Sequence, residues 1–600
     1  MSATDKNRLL MFGNEAIAYG AREAGCAFAA AYPGTPSTEI LETFSRLPGI
    51  FAKWSPNEKV ALEVGIGASL TGTRTLVTMK HVGVNVAMDP LMTFTYTGVR
   101  GGFVLVSADD PAMHSSQNEQ DNRILAKFAK IPVFDPSDSQ EAHDFTRLAF
   151  EVSERFNTPV MLRETTRIAH AKGLVTFGEW GEPVRGENFI REIDRFVMMP
   201  LYAKPRHTFA EHRTLELQKY SNEWEGNRLE LNGSELGIIT SGVAWNYIRE
   251  LMPDASFLKV GMPWPFPAEK ARQLAEHCER ILVVEELEPF LEEEARIAGI
   301  AVEGKKYFPR EGELNLDNVA RGLYDAGLLG SAPIPVTGEP VIPRPPVLCA
   351  GCPHRGIYMA LKKVNADVYG DIGCYTLAAL PPLESLHTCF CMGASIGNSI
   401  GAKLSERDPK HPQVAVIGDG TFFHSGITGL LDAVTSNANV TVVIVDNDIT
   451  AMTGGQENPG TGRDLMGNSV PSVKIEDVVI ALGVKHLAIA DTYNYDKTVE
   501  QLKAAIKHEG PSVVVARKAC ALFPKKLKID PFVVKTDLCN GCAACFRIGC
   551  PAISNSGLTT EKGLVIAEID ADTCTGCTLC VQVCPVDAIV PLGDIEEVTA

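Results

Sequence analysis

"AVIGDGTFFHSG", Ala415–Gly426, and "VIVDNDITAMTGGQ", Val443–Gln456, are the stretches on which the fold reading turns. Each opens on a short apolar run and then breaks into small and acidic residues, as a buried strand does where it meets a turn. Strands of this kind separated by helical segments build a parallel sheet covered by helices, an α/β architecture. Gly418, Asp419 and Gly420 then stand at the carboxyl edge of the sheet, where α/β folds bind ligands. Asn447 follows Asp419 by 28 residues and ends the second strand. Magnesium takes oxygen ligands, commonly one or two carboxylates plus phosphate oxygens, so Asp419 and the Asn447 side chain are candidates to hold Mg2+ with a diphosphate. Glycines around a lone aspartate usually make only a turn. The second strand end strengthens the reading.

The same alternation begins the chain. "NEAIAYGAREAG" reads as an amphipathic helix, "CAFAAAYP" as a buried strand, and "STEILETFSRL" as a helix capped by Ser37 or Thr38 with Glu39 in its first turn. "TRTLVTM", "GGFVLVSAD" and "TPVMLRE" continue as strands. A first α/β domain is expected over 1–190 and a connecting segment over 191–232. A smaller α/β unit follows over 233–330, built on "SELGIITSG", "ASFLKVGMPWPFP" and "ERILVVEELEPFLEEEA". Residues 331–346, SAPIPVTGEPVIPRPP, carry too many prolines for a helix or central strand and read as a stiff linker. The second large α/β domain is expected over 347–522, and "FPKKLKIDP" leads from it to a cysteine-rich domain over 530–600.

Six hundred residues exceed one hydrophobic core, and usual domain sizes suggest about three to five domains. A net charge of -18 argues against a nucleic-acid surface. No apolar run is long enough to span a membrane, and "MSATDKNRLLMFGNEAIAYG" lacks the pattern of a secretory leader, so a cytoplasmic protein is expected. In that setting sixteen cysteines point to metal binding rather than disulfides.

The cysteines of the tail fall into two runs, Cys539-x2-Cys542-x2-Cys545-x4-Cys550-Pro551 and Cys574-x2-Cys577-x2-Cys580-x3-Cys584-Pro585, which begin 35 residues apart. Three close thiolates serve one cubane, and the fourth, before proline, reaches the other. The crossed sets are Cys539, Cys542, Cys545 and Cys584 for one 4Fe-4S cluster, and Cys574, Cys577, Cys580 and Cys550 for the second. Zinc knuckles are the competing reading, but they use two spaced pairs. "KKLK" at 525–528 is either a patch for an acidic electron acceptor or a solvated linker.

The tail resembles the bacterial two-cluster ferredoxin domain, with one extra residue before Cys550. The GDG and the strand-end asparagine resemble the diphosphate signature of thiamine-diphosphate enzymes; that likeness implies the Ile449 carbonyl as a third protein ligand, and Asp446 departs from the asparagine common there. "NEKVALEVGIGASLTG" is similar to the ferredoxin-dependent 2-oxoacid oxidoreductases, in which a carboxylate activates the cofactor through its aminopyrimidine; Glu58, nine residues before Gly67, inherits that role, and Glu63 is the competitor. Both would otherwise be solvent-facing helix charges. "YPGTPSTE" resembles the substrate loop of the same enzymes, which makes Thr35 a substrate contact unless Pro33 and Pro36 merely shape a turn.

Cys349 and Cys352 in "VLCAGCPHRG", Cys374 in "DIGCYTLA" and Cys520 in "ARKACALF" are similar to the proximal-cluster ligands of pyruvate:ferredoxin oxidoreductases, which implies a third 4Fe-4S cluster near thiamine. Cys389 and Cys391 are rivals for those places, and buried free cysteines are common. His354 and Arg355 depart from the pyruvate enzymes. His81 in "TMKHVGVNVAMDPLM" and His114 in "DDPAMHSS" are further polar candidates for the substrate cavity, although a lone histidine is more often structural.

Over nearly the whole chain the order of parts resembles the α subunits of the indolepyruvate:ferredoxin oxidoreductases: pyrimidine domain, transketolase C-terminal-like domain, diphosphate domain and two-cluster tail. The resemblance implies oxidative decarboxylation of an arylpyruvate with coenzyme A to an arylacetyl-CoA, CO2 and reduced ferredoxin. It also implies a smaller β subunit and a dimer of αβ pairs. Two electrons leave thiamine per turnover and iron-sulfur clusters take them singly, which accounts for an electron-carrying tail. The alternatives are a non-oxidative thiamine-dependent decarboxylase and a non-catalytic electron-transfer subunit.

Overall fold

The computed structural model describes residues 7–333, 342, 344–406, 410–523 and 530–596. Most of the proline-rich linker and the KKLK patch lie outside the described residues. The chain divides into two compact units, Met1–Glu339 and Pro340–Ala600. Among the described residues no helix is long and apolar enough to cross a membrane.

The first unit is built on a six-stranded parallel sheet in the order Phe51–Trp54, Phe28–Ala31, Thr75–Lys80, Phe103–Asp109, Val160–Thr165 and Val133–Phe134. Its central strands are buried along their whole length, as sheets covered on both faces require. A smaller sheet follows: Arg280–Val284, Leu236–Ser241 and Ser256–Val260 run parallel, and Arg228–Glu230 adds an antiparallel edge. Buried ion pairs connect the two sheets, among them Arg123 with Asp121 and Glu285 at 2.5 and 3.0 Å. Arg123, Asp121 and Glu285 are thereby paired, which matters because breaking such a pair is far costlier than making it is rewarding.

The segment 191–232 is more ordered than its composition suggests. Pro200–Glu223 forms a 24-residue helix, and the edge strand Arg228–Glu230 also lies in this segment. The helix lacks a continuous apolar stripe. It is anchored by buried Arg213, whose guanidinium donates to the carbonyls of Thr95 and Asn157 at 3.0 and 2.9 Å. Charge–carbonyl anchoring leaves no hydrophobic period to read. Ser37 does occupy the N-cap of helix Thr38–Phe44, but its hydroxyl donates to the Gly34 carbonyl at 2.8 Å instead of capping the helix.

The second unit carries a five-stranded parallel sheet in the order Asp367–Tyr369, Gln413–Gly418, Thr441–Asp446, Ser512–Arg517 and His486–Asp491. Val414, Val416, Val443, Val445 and Val514 pack on one face, and Ala415, Ile417, Val442, Ile444, Val513 and Val515 on the other. Alternate residues thus enter two different cores, and the near-continuous apolar runs of the sequence follow from that. Beyond it, Phe532–Val534 pairs antiparallel with Ile589–Pro591, and Ile553–Thr559 with Val565–Ile569, framing the cysteine tail.

Candidate functional site

Strand Gln413–Gly418 delivers Asp419 to the carboxyl edge of the second unit's sheet, and Thr441–Asp446 delivers Asn447 to the neighbouring position. Both side chains are buried, at 5% and 6% exposure. One Asp419 oxygen accepts from the Gly420 N–H at 2.8 Å and the other from the Asn458 amide at 3.0 Å. Burial, with Asp446 and Asp448 nearby, pushes its carboxyl up to about 7. An oxygen-rich edge of this kind suits a hard cation. Asp446, the departure from the family's asparagine, is committed elsewhere: it pairs with Arg517 at 2.7 Å, and Arg517 clasps Glu476 with both terminal nitrogens. Gly418 and Gly420 keep the approach open, since a Cβ would lie 2.8 Å from the Tyr375 ring and 2.9 Å from the Thr450 hydroxyl respectively. The Tyr375 hydroxyl accepts from the Gly418 N–H at 3.0 Å. Asn458 and Tyr375 were not foreseen, because each lies far from the GDG in sequence.

Cysteines lie directly behind this edge. The Cys520 N–H donates to the Asn447 carbonyl at 3.1 Å, and the Cys352 N–H to the Cys349 carbonyl at 3.1 Å. Burial pushes the Cys352 thiol up to about 12, with Cys349 and Cys374 contributing, and the Cys374 thiol up to about 11, with Cys520 and Cys349 contributing. The four sulfurs therefore share one neighbourhood. Cys389 packs against the same core as Cys349 and Cys352, its thiol donating to the Asp371 carbonyl at 3.7 Å with Cys391 beside it. His354 is buried edge-on against Tyr375, with ring centroids 5.8 Å apart, and its Nδ1 has no partner among the described residues.

In the tail the eight cysteines line two cavities. Cys539, Cys542, Cys545 and Cys584 surround one; Cys550, Cys574, Cys577 and Cys580 surround the other. The structure thus groups them in the crossed sets that the spacing suggests. Among the described residues no three Cys, His, Asp or Glu side chains are gathered to hold one metal ion. A cubane holds its sulfurs farther apart than a single zinc does. The Phe532 N–H lies 3.5 Å from the Cys574 sulfur and the Ala588 N–H 3.3 Å from that of Cys584, bonds of the kind that tune cluster potentials. Gly351 and Arg355 complete the lining of the second cavity, so it is the one beside the Cys349–Cys352 loop.

Comparison with known proteins completes the picture. Residues 19–187 match the model described as pyruvate flavodoxin/ferredoxin oxidoreductase, thiamine diP-bdg; 371–516 match thiamine pyrophosphate enzyme, C-terminal TPP binding domain; and 567–590 match 4Fe-4S binding domain. Indolepyruvate oxidoreductase subunit IorA of Archaeoglobus fulgidus is 40% identical over 97% of both chains, and that of Thermococcus kodakarensis 39% over 98% of both. The chain belongs to the indolepyruvate oxidoreductase subunit IorA family. As an IorA-family chain it is an oxidoreductase subunit with a thiamine-diphosphate-binding domain and a 4Fe-4S domain. A solved 2-oxoglutarate:ferredoxin oxidoreductase from Magnetococcus marinus aligns with 50% of this IorA-family chain and 62% of its own at 17% identity and a TM-score of 0.43, too loosely to bear on the site.

In the first unit, Glu58 opens helix Glu58–Leu70 behind Asn57, whose side chain accepts from the Val60 N–H at 2.8 Å. Glu58 is 6% exposed, and a Cβ at Gly83 would stand 2.6 Å from its Cγ, so Gly83 makes the space the carboxylate occupies. Glu63 lies on the surface, paired with Lys59. Thr35 sits on the loop before helix Thr38–Phe44, and its carbonyl accepts from the Ser115 hydroxyl at 3.3 Å. The Lys80 ammonium donates to the Ser115 carbonyl at 2.6 Å, and burial draws it down to about 8. His81 is fully buried, with Nε2 3.2 Å from the Asn118 carbonyl, whereas His114 is half exposed and 3.6 Å from Glu313. Thus the structure buries Glu58 and His81 and leaves Glu63 and His114 at the surface.

Proposed function

We propose that this chain is the larger subunit of an enzyme that oxidatively decarboxylates an arylpyruvate of the indolepyruvate type with coenzyme A, yielding an arylacetyl-CoA, CO2 and reduced ferredoxin. The observation that carries the reading is the direct backbone bond from Cys520 to Asn447, which joins the candidate metal-diphosphate edge to the cysteine sets. The names of the relatives supply the substrate class.

Asp419, Asn447 and the Ile449 carbonyl would hold Mg2+ and the diphosphate. Glu58 accepts a hydrogen bond at the aminopyrimidine, and Thr35 contacts the oxoacid. Bound thiamine diphosphate supplies the decarboxylation and the two electrons. Cys349, Cys352, Cys374 and Cys520 ligate a proximal 4Fe-4S cluster; the crossed tail sets ligate two more. The subunit naming of the relatives supports a smaller β subunit, and we take the assembly to be a dimer of αβ pairs.

The test supplies indolepyruvate and coenzyme A to the anaerobic αβ enzyme with a viologen dye, and assays aldehyde in parallel. Dye reduction that requires coenzyme A is expected. Aldehyde without dye reduction would assign a non-oxidative decarboxylase instead.

A further inference from the structure

Arg355 is buried beside two of the cysteine sets. Its residue exposure is 2%. Nη1 donates to the carbonyls of Ile548 at 2.9 Å and Gly549 at 2.6 Å, immediately before Cys550. Nε and Nη2 each reach the Cys349 carbonyl at 3.3 Å, and Nη2 also donates to the Leu348 carbonyl. The side chain therefore joins the backbone preceding a ligand of the inner tail cavity to the backbone of the Cys349–Cys352 loop. It also lines that cavity.

Its charge is what calls for explanation. Among the described residues no carboxylate pairs with Arg355; its electrostatic neighbours are Cys550, Cys352, Cys577 and Cys349, two from each set. A buried guanidinium without a counter-charge is costly, and the cysteines around it supply negative charge once they are deprotonated as cluster ligands. A 4Fe-4S core held by four thiolates is anionic and gains one further negative charge on reduction, so a fixed cation beside it favours the reduced state. Net charge, hydrogen bonding and burial are the protein's levers on cluster potential. Four backbone carbonyls take these donors, more than a glutamine amide could serve, and the guanidinium brings a full positive charge to the same place.

We propose that Arg355 is a positioning residue for electron transfer: set between the proximal and inner cysteine sets, its charge raises the reduction potentials of the two clusters it touches and leaves the outer one, in the Cys539 cavity, unmoved. This rests on the reading that all three sets hold 4Fe-4S clusters. Selectivity distinguishes the role, since a residue that merely fastened the tail would not single out two potentials.

The experiment is an anaerobic EPR-monitored redox titration of the αβ holoenzyme for the parent, Arg355→Gln and Arg355→Lys, with iron counted in each sample. In the titration each cluster takes one electron from the mediator. For Arg355→Gln the equilibrium constant for reducing the proximal and inner clusters is expected to fall at least tenfold, which is about 59 mV for a one-electron couple. The outer cluster stays in place, and Arg355→Lys, which keeps the charge, recovers at least half the shift. Unchanged potentials in Arg355→Gln at full iron would overturn the proposal, as would equal shifts at all three clusters. If Arg355→Gln loses iron, Arg355→Lys decides: it must retain iron and parental potentials to within half the tenfold shift, or the proposal fails. A parent without three cubane signals would instead overturn the functional reading beneath it.

Discussion

The backbone N–H of Cys520 donates to the carbonyl of Asn447 at 3.1 Å. A candidate cluster ligand is thereby held directly against a candidate metal ligand, at adjacent strand ends of one parallel sheet. Cys520→Ser keeps that backbone bond and removes one thiolate. Iron should fall from about twelve to about eight per chain, as sites of four iron atoms imply, while thiamine diphosphate still binds. Equal iron in variant and parent would remove the proximal cluster from the scheme.

Asp419→Asn should abolish Mg2+-dependent thiamine diphosphate binding, lowering affinity at least tenfold by calorimetry. In the cofactor-free protein the same change should stabilise. A buried carboxyl raised to about 7 binds a proton more readily folded than unfolded, so its penalty is absent below about 4 and complete above about 7. The apparent Tm of the cofactor-free parent should therefore rise as pH falls from 7 toward 5, and Asp419→Asn should raise it at pH 8 by about 2–4 °C, the shift that 1 kcal/mol produces in a domain of 150–250 residues. A variant less stable than the parent at pH 8 would contradict the assignment.

Glu58→Gln should bind thiamine diphosphate with parental affinity and lose about 10²–10⁴ in kcat, the usual scale for a proton-handling group. Glu63→Gln should keep parental turnover, because that carboxylate meets only Lys59 at the surface. The reverse pattern would exchange the two roles.

Gly83→Ala tests the space around Glu58 without replacing its carboxylate: the added carbon would also lie 2.9 Å from Oε1. A methyl group 2.6 Å from the Glu58 Cγ must displace one or the other. A displacement near 1 Å at a reacting group costs on the order of 10²-fold in rate. Turnover should fall by about that factor with cofactor affinity intact; unchanged turnover would place Glu58 outside the reaction.

The crossed cysteine sets make an ordering prediction. Cys584→Ser should remove the EPR signal of the cluster in the Cys539 cavity, and Cys550→Ser that of the cluster in the Cys574 cavity, although each replaced residue belongs to the other sequence run. Loss within the same run in either case would refute the crossing.

Legibility in the sequence followed the range of the interaction. Strands such as Gln413–Gly418 and Thr441–Asp446 were readable because both faces are apolar, and the cysteine groupings because ligand spacing is local. The helix Pro200–Glu223 was not, since Arg213 anchors it through carbonyls on Thr95 and Asn157. Asn458 and Tyr375 escaped for a similar reason: their partners, Asp419 and Gly418, are 39 and 43 residues away. Glu58 and Glu63 looked alike in sequence, and only burial separates them.

The central claim is that electrons from the oxoacid enter clusters carried on this same chain. Its most direct measurement mixes anaerobic αβ enzyme with indolepyruvate alone, no external acceptor present, freezes the sample within one turnover and records the EPR spectrum. The account predicts reduced 4Fe-4S signals that are absent without substrate and absent in Asp419→Asn. A sample that has released CO2 and shows no reduced-cluster signal would contradict it.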